Sequence, residues 1–345
     1  MNYPAIIEAA WNGYDPSRKL SAIEDISASV STNRVFRIRF TEDEYIIAKI
    51  SSFGKYEHFK EDHRLIQTVG NNLLYPFENL LAKSLLKNNR VYTYRYKKGR
   101  NDAWVVFYNP SRVMNSLPAR LDEPAIKALA KQVAKFHKAC SRIRNVLPKS
   151  KKTLRTDINI LLEQLEGNEK KFGGPEQVAL LRSHCEKFIS NRNKCNVRNF
   201  DLIPVFIDWN TGNFSVGNKN ELFSRWDYDW FRMSYRVMDL YFFSRVVRDE
   251  GDKTVFSYLP DTLMEDRFML FLREYHKVNP LTADEVRFMK EAYRFFILNY
   301  VVKDGNYFFN EQYAKKLRVE AMEIYLPSLD RVFDANRIIT LLKLD

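Results

Sequence analysis

At 345 residues, the chain is long enough to bury a large core in one or two domains. With 45% hydrophobic and 28% charged residues it has the composition of an ordinary globular protein, and no run of eighteen apolar residues suggests a membrane span. Glycine is sparse at 11, which argues against a glycine-rich dinucleotide fold, and the net charge of +12 is unevenly spread. The opening MNYPAIIEAAWNGYD carries acids and lacks a basic start and a cleavage site, so no signal peptide is expected. Cys140, Cys185 and Cys195 show no CxxC spacing. Neither a disulfide framework nor a zinc site is expected, and a cytoplasmic location fits.

The first hundred residues read mainly as strands. Asn33–Phe40 alternates apolar and basic residues, as a half-exposed strand does. Thr41–Glu44 is a turn, and Tyr45–Ile50 is the returning strand. Lys49 lies inside that apolar run, where a lysine either faces outward or needs a buried partner. Residues 55–69 read as a helix, and it carries two acids, Glu57 and Glu61. Glu61 shares a face with Leu65 and is the preferred partner. Two more strand-like runs follow, Arg90–Tyr96 and Ala103–Tyr108, before Asn109-Pro-Ser111 breaks the pattern as a hinge.

Beyond the hinge the reading turns helical. Asp122-Glu-Pro124 opens a helix whose apolar face is Ile126, Leu129, Ala130, Val133, Phe136 and Cys140. No acid occurs between Glu123 and Asp157, while Lys127, Lys131, Lys135, Lys138 and Arg142 form one helical stripe. Segment 127–155 is either a solvated face with a basic loop or a surface for an anionic acceptor or partner. No nucleic-acid-binding motif accompanies it, so nucleic acid is not expected. Further helices are expected near 156–166, 175–191, 235–248, 262–276, 282–302 and 310–324. The architecture is α+β: a small β-rich lobe over residues 1–108 and a larger, mostly helical lobe over 109–345.

The chemistry-bearing run interrupts these helices. Ile203–Ile207 is apolar and ends in Asp208; Asn213 lies five residues on; a hairpin through Gly217–Asn220 leads to a second run ending in Asp227. A carboxylate, an amide and a second carboxylate thus meet at the ends of adjacent strands. Phosphoryl transfer from a magnesium nucleotide needs one group to orient the attacking hydroxyl and oxygen ligands for the metal. Each residue taken singly is also an ordinary turn residue. The aromatics Trp209, Tyr228, Trp230, Phe231, Tyr235, Tyr241 and Phe242 read as core rather than as a cage for a cation.

These residues resemble the aminoglycoside phosphotransferase and choline kinase family, small-molecule relatives of the protein kinases. The resemblance rests on the Asp208 to Asn213 spacing of the His-x-Asp-x-x-x-x-Asn loop, on Trp226-Asp-Tyr-Asp229, on Tyr235–Leu240 and on the helix ending Leu129–His137. It implies a two-lobed protein-kinase-like fold, an ATP- and Mg²⁺-dependent phosphotransferase and a hydroxyl-bearing small-molecule acceptor. It implies Asp208 as base, Asn213 and Asp227 as magnesium ligands and Lys49, held by Glu61, on the phosphates. Adenine would lie against Val105–Tyr108, with Phe107 among its contacts. Two departures stand out. Phe206 occupies the place of the motif histidine, and the loop Ala28–Arg34 has no glycine, leaving Ser31, Thr32 and Asn33 to offer backbone N–H groups to phosphate. These departures keep a second reading open: a catalytically weak or inactive kinase-like module that recognises an anionic partner.

Overall fold

The computed structural model describes residues 1–52, 54–99, 101–250 and 257–344. Helix α1 (Tyr3–Tyr14) comes first, capped by the Asn2 side chain with Pro4 in its first turn. Its sequence was not expected to be helical. Strands β1 (Ala22–Asp25), β2 (Arg34–Arg39) and β3 (Tyr45–Ser51) follow, then α2 (Tyr56–Asn72). After the short pair β4 (Leu86–Lys87) and β5 (Arg90–Val91) come β6 (Thr93–Lys98) and β7 (Asn101–Tyr108). Five of these strands form one antiparallel sheet in the order β1-β2-β3-β7-β6.

Strand alternation gives this sheet two different faces. Phe36, Ile38, Ala48, Ile50, Val105 and Phe107 point to one side and pack with Ile6, Ile7, Ala10 and Trp11 of α1. Trp11 meets Phe107 edge-on at 5.4 Å. Val35, Lys49 and Val106 are in register across three strands, as are Arg37, Ile47 and Tyr108. That second row faces the helical part of the molecule.

Helix α3 (Glu123–Ile143) carries the expected face, and Ile126, Leu129, Ala130, Val133, Phe136 and Cys140 are all fully buried. Asp122 caps it by accepting the Ala125 N–H. Helices α4 (Leu154–Leu165) and α5 (Pro175–Lys194) lead to the short strands that hold the site: β8 (Ile203–Val205), β9 (Phe214–Val216), β10 (Leu222–Arg225) and β11 (Arg232–Ser234). β8 pairs with β11, and β9 pairs with β10 through the expected hairpin. Helices α6 (Leu240–Val247), α7 (Asp266–Val278) and α8 (Ala283–Phe296) complete the core, α8 behind a Thr282/Glu285 capping box. The chain ends in α9 (Gly305–Phe308), α10 (Glu311–Glu320), α11 (Leu326–Val332) and α12 (Ala335–Leu342). The expected helix 282–302 is α-helical only to Phe296 and continues as π-helix over Ile297–Lys303. Trp209, Tyr228, Trp230, Phe231, Tyr235, Tyr241 and Phe242 are buried, as core residues should be. Cys140, Cys185 and Cys195 are free thiols and buried. No described helix is long and apolar enough to cross a membrane.

Candidate active site

A cavity of about 420 Å³ lies between the sheet and the β8–β10 strands. Its upper wall is Val35, Arg37, Ile47 and Lys49 of the sheet, its rear Tyr108 to Ser111, and its floor Gly212, Asn213, Trp226 and Asp227. Its size and largely apolar lining with a few convergent polar groups are those of a small-molecule site.

Asp208, on the turn after β8, does not line this cavity; its main-chain carbonyl is 3.4 Å from the side-chain amide of Asn213, which does. The turn is tight: the Asp208 N–H donates to the Phe206 carbonyl at 2.7 Å and the Trp209 N–H to that of Ile207 at 2.9 Å. It carries Ile207 at φ 62°, a conformation β-branched residues seldom adopt. The cost is met by Asp239, fully buried ahead of α6. One of its carboxylate oxygens accepts the N–H groups of Phe206 (3.0 Å) and Ile207 (2.7 Å); the other contacts His137 Nε2 at 3.0 Å. His137 in turn meets the Tyr275 hydroxyl at 2.7 Å. Asp239 thus braces the Asp208 turn from beneath. Burial and the nearby Asp227 carboxylate push the Asp208 carboxyl up to about 7, against the opposing pull of Arg225 and Arg245.

Asn213 and Asp227 face the same cavity. The Asn213 side-chain amide reaches the Asp208 carbonyl at 3.4 Å, and its own carbonyl accepts the Trp226 N–H at 3.0 Å. Asp227 sits at φ 62°. Its Oδ1 accepts from Lys49 Nζ at 2.8 Å and from the Asp229 N–H at 3.2 Å. Asp229 accepts from Lys49 at 2.5 Å and from the Asn33 amide. Burial would raise the Asp227 carboxyl, but Lys49 holds it below the usual range. Burial and Asp227 push Asp229 up to about 6. Lys49 is buried, which opposes its charge, yet its two carboxylate partners raise it above its ordinary value.

No family model and no curated protein matches the sequence. Solved structures do match over nearly the whole chain. An amicoumacin kinase in complex with AMP-PNP, Ca²⁺ and Ami superposes with a TM-score of 0.61 at 12% identity, over 98% of this chain and 100% of that one. A microcompartment-associated aminopropanol kinase gives 0.60 at 12%, over 99% of each chain. The GDP complex of an aminoglycoside 2'-phosphotransferase gives 0.57 at 12%, over 95% and 99%. The chain has the fold of the small-molecule kinases. At this identity the likeness speaks for the fold.

Within this kinase fold several expected contacts are rearranged. Among the described contacts Lys49 has no partner on α2. Glu61 instead accepts the Lys151 N–H at 3.0 Å on the outer side, Asp62 pairs with Lys152, and His63 is the buried polar residue among the apolar ones that α2 turns inward. His63 Nε2 meets the Tyr108 hydroxyl at 2.6 Å, and burial lowers its pKa to about 4, so it is a neutral packing group. Helical spacing identified a shared face but not which side of the helix the sheet covers. Phe107 is likewise absent from the cavity: it lies on the α1 face, and Tyr108 is the cavity residue, because the strand alternates. Ser31 and Thr32 do not line the cavity either. The loop docks on α9 and the residues after it: Thr32 Oγ1 donates to the Tyr307 carbonyl, Asn310 N–H to the Val30 carbonyl at 2.9 Å, and Ser31 bridges to Phe309. Asn33 is spent on Asp229. Ala28 at the start of the loop lines the cavity, while the Thr32 hydroxyl and the Asn33 amide N–H are taken up by the helical lobe.

Two residues with a clear place in the site went unnamed from sequence, Arg225 and His63. A lone arginine closing an otherwise apolar strand directly before Trp226-Asp227 was the available signal. Of the α3 stripe, Lys127 pairs with Glu123 and Lys131 with Glu274, and none of its five cations lines the cavity.

Proposed function

We propose that this small-molecule kinase fold transfers the terminal phosphoryl group of ATP, as its magnesium complex, to a hydroxyl of a small molecule. The observation that carries the reading is the convergence of Lys49, Asn213 and Asp227 on one nucleotide-sized cavity, with the Asp208 carbonyl on the Asn213 amide. Lys49 comes from the sheet, far in sequence from the 208–227 segment that supplies the other three. A packing role alone requires no such meeting of hard oxygen donors and a lysine.

The nucleotide would lie between a lobe of residues 1–108 and one of residues 109–345. Its base would rest between Val35 and Ile47 above and Trp226 below, with Asn109 to Ser111 at the rear. Asn213 and Asp227 present the oxygen chemistry that Mg²⁺ takes when phosphates supply the remaining ligands. No described cluster of three or more His, Cys, Asp and Glu exists, and a metal held mainly by nucleotide phosphate does not need one. Magnesium, when bound, neutralises phosphate charge. Lys49 would move from Asp227 to the phosphates while remaining on Asp229. Asp208, with a carboxyl near 7, is poised to orient the acceptor hydroxyl and accept its proton. Solved structures of similar fold include complexes with AMP-PNP and GDP, which supports a purine nucleotide.

Calorimetry with ATP in the presence and absence of Mg²⁺ tests the reading. Magnesium-dependent binding by the wild type, retained in Asp208→Ala while transfer is lost, is the expected result. Absence of magnesium-dependent binding would overturn it. One observation favours a second reading, a module without catalysis: the Lys49 ammonium is already satisfied by two carboxylates. That reading expects no transfer to any acceptor from the wild type.

A further inference from the structure

Arg225 is the last residue of β10, and its side chain is fully buried. A buried cation costs several kcal/mol of desolvation unless it is paired and hydrogen-bonded. Arg225 makes no ion pair among the described contacts. Its guanidinium is spent on backbone carbonyls. Nη2 donates to the Asp208 carbonyl at 2.9 Å, and Nη1 donates to those of Trp226 at 2.8 Å and Asp227 at 2.6 Å. Its faces are filled by rings, with Phe206 at 4.4 Å, Trp209 at 4.8 Å and Tyr228 at 5.8 Å from the guanidinium carbon. One planar fork therefore spans the turn that presents Asp208 and the turn that presents Asp227.

Both turns hold a non-glycine residue at φ 62°, Ile207 in one and Asp227 in the other. Such conformations persist only where the surroundings over-determine them. The Asp208 turn is pinned from below by Asp239, through N–H groups. The carbonyl side of that turn, and both carbonyls of the Asp227 turn, are pinned by Arg225. The main chain of Arg225 is itself fixed, its N–H donating to Leu80 at 2.6 Å and its carbonyl accepting from Ala82 at 2.9 Å and from the Tyr228 hydroxyl at 3.0 Å.

We propose that Arg225 is a positioning residue for phosphoryl transfer: it locks the base-bearing turn to the metal-bearing turn, with its guanidinium laid on Phe206, the residue at the place of the motif histidine. The proposal rests on the function put forward above. It assigns Phe206 a use, as the flat apolar surface on which the guanidinium lies. It also makes the residue pair, rather than either residue, the unit that sets the geometry. Arginine suits the task because its rigid fork reaches two turns at once, which a lysine cannot.

The experiment compares wild type, Arg225→Lys, Arg225→Gln, and Arg225→Leu with and without Phe206→His, using hydrolysis of Mg·ATP to water so that no acceptor need be known. Expected are at least tenfold losses of kcat in Arg225→Lys and Arg225→Gln and a smaller change in ATP affinity measured without metal. Phe206→His in the Arg225→Leu background is expected to recover at least tenfold of what Arg225→Leu loses. Arg225→Lys keeps length and charge, so it carries the test if Arg225→Gln does not fold. Wild-type kcat in Arg225→Lys would overturn the proposal. So would a double variant no better than Arg225→Leu. Failure of the wild type to bind Mg·ATP would strike the proposed function itself, a result separate from any difference among the variants.

Discussion

The Lys49 ammonium and the Asp229 carboxylate meet at 2.5 Å although 180 residues separate them. They join the sheet to the segment after β10, and Asp227 shares the same ammonium at 2.8 Å. The lysine is thereby oriented by the helical lobe rather than by α2. In the absence of ligand, its charge also sits between two carboxylates that would otherwise repel each other.

Lys49→Met is expected to lower nucleotide affinity and to reduce transfer by roughly 100-fold or more, as loss of a phosphate-positioning group does. It also leaves Asp227 and Asp229 uncompensated. Magnesium without nucleotide should therefore raise the melting temperature of the variant more than that of the wild type. Thermal melts with and without Mg²⁺ check this, and equal shifts would count against the lysine as the balancing charge.

Glu61→Gln and Asp229→Asn are expected to behave differently. Glu61 touches only the Lys151 N–H, so its variant should bind ATP within about twofold of wild type. Asp229→Asn removes a charge from Lys49, and its affinity should fall about tenfold. Titration of both variants under identical salt distinguishes the two partners.

The Asp208 carboxyl lies near 7 in the fold against an ordinary 3.8, so the folded chain holds a proton that the unfolded chain releases. Protonation of this group then favours folding between those values, and its contribution is lost as pH rises through about 7. Asp208→Asn removes the loss. The variant should melt higher than wild type at about pH 8 and at nearly the same temperature at about pH 4. Under the proposed function, wild-type turnover should climb through about pH 7 as the base deprotonates. A pH-independent difference between the two melting curves would contradict the buried-carboxyl account.

Asp239 supports the Asp208 turn through two N–H groups and is held by His137. Asp239→Ala strands three buried polar groups, which should cost about 3 kcal/mol or more. Urea unfolding gives the value. Transfer should fall along with stability, because Ile207 loses the acceptor that holds it at positive φ.

Much of this site was legible in the chain. Asp208, Asn213 and Asp227 announce themselves because strand ends and turns are local, and Lys49 because a cation inside an apolar strand is costly unless paired. The α3 face was legible for the same reason, its period being written in consecutive turns. What was hidden depends on contacts between distant segments. Nothing in residues 55–69 says that His63, not Glu61, is the polar residue turned inward, onto Tyr108. In β7 both rows are apolar, so alternation alone does not say whether Phe107 or Tyr108 meets a ligand. Arg225 was hidden most deeply, since its partners are backbone carbonyls, which every residue possesses and no sequence displays. Helix α1 was missed although Asn2 and Pro4 form an ordinary helix start; the surface it covers is plain only when Trp11 is seen against Phe107.

All three native thiols are buried, and burial pushes Cys185 up to about 12 and Cys195 up to about 11, with Cys140 raised as well. Thiolate is the reactive form, so a maleimide should find almost nothing to modify in the folded protein. The wild type is thus a ready background for site-directed labelling. One cysteine placed on the loop at Ser31 and another at exposed Tyr307 would carry a dye pair across the contact between the lobes, with no native residue to remove first.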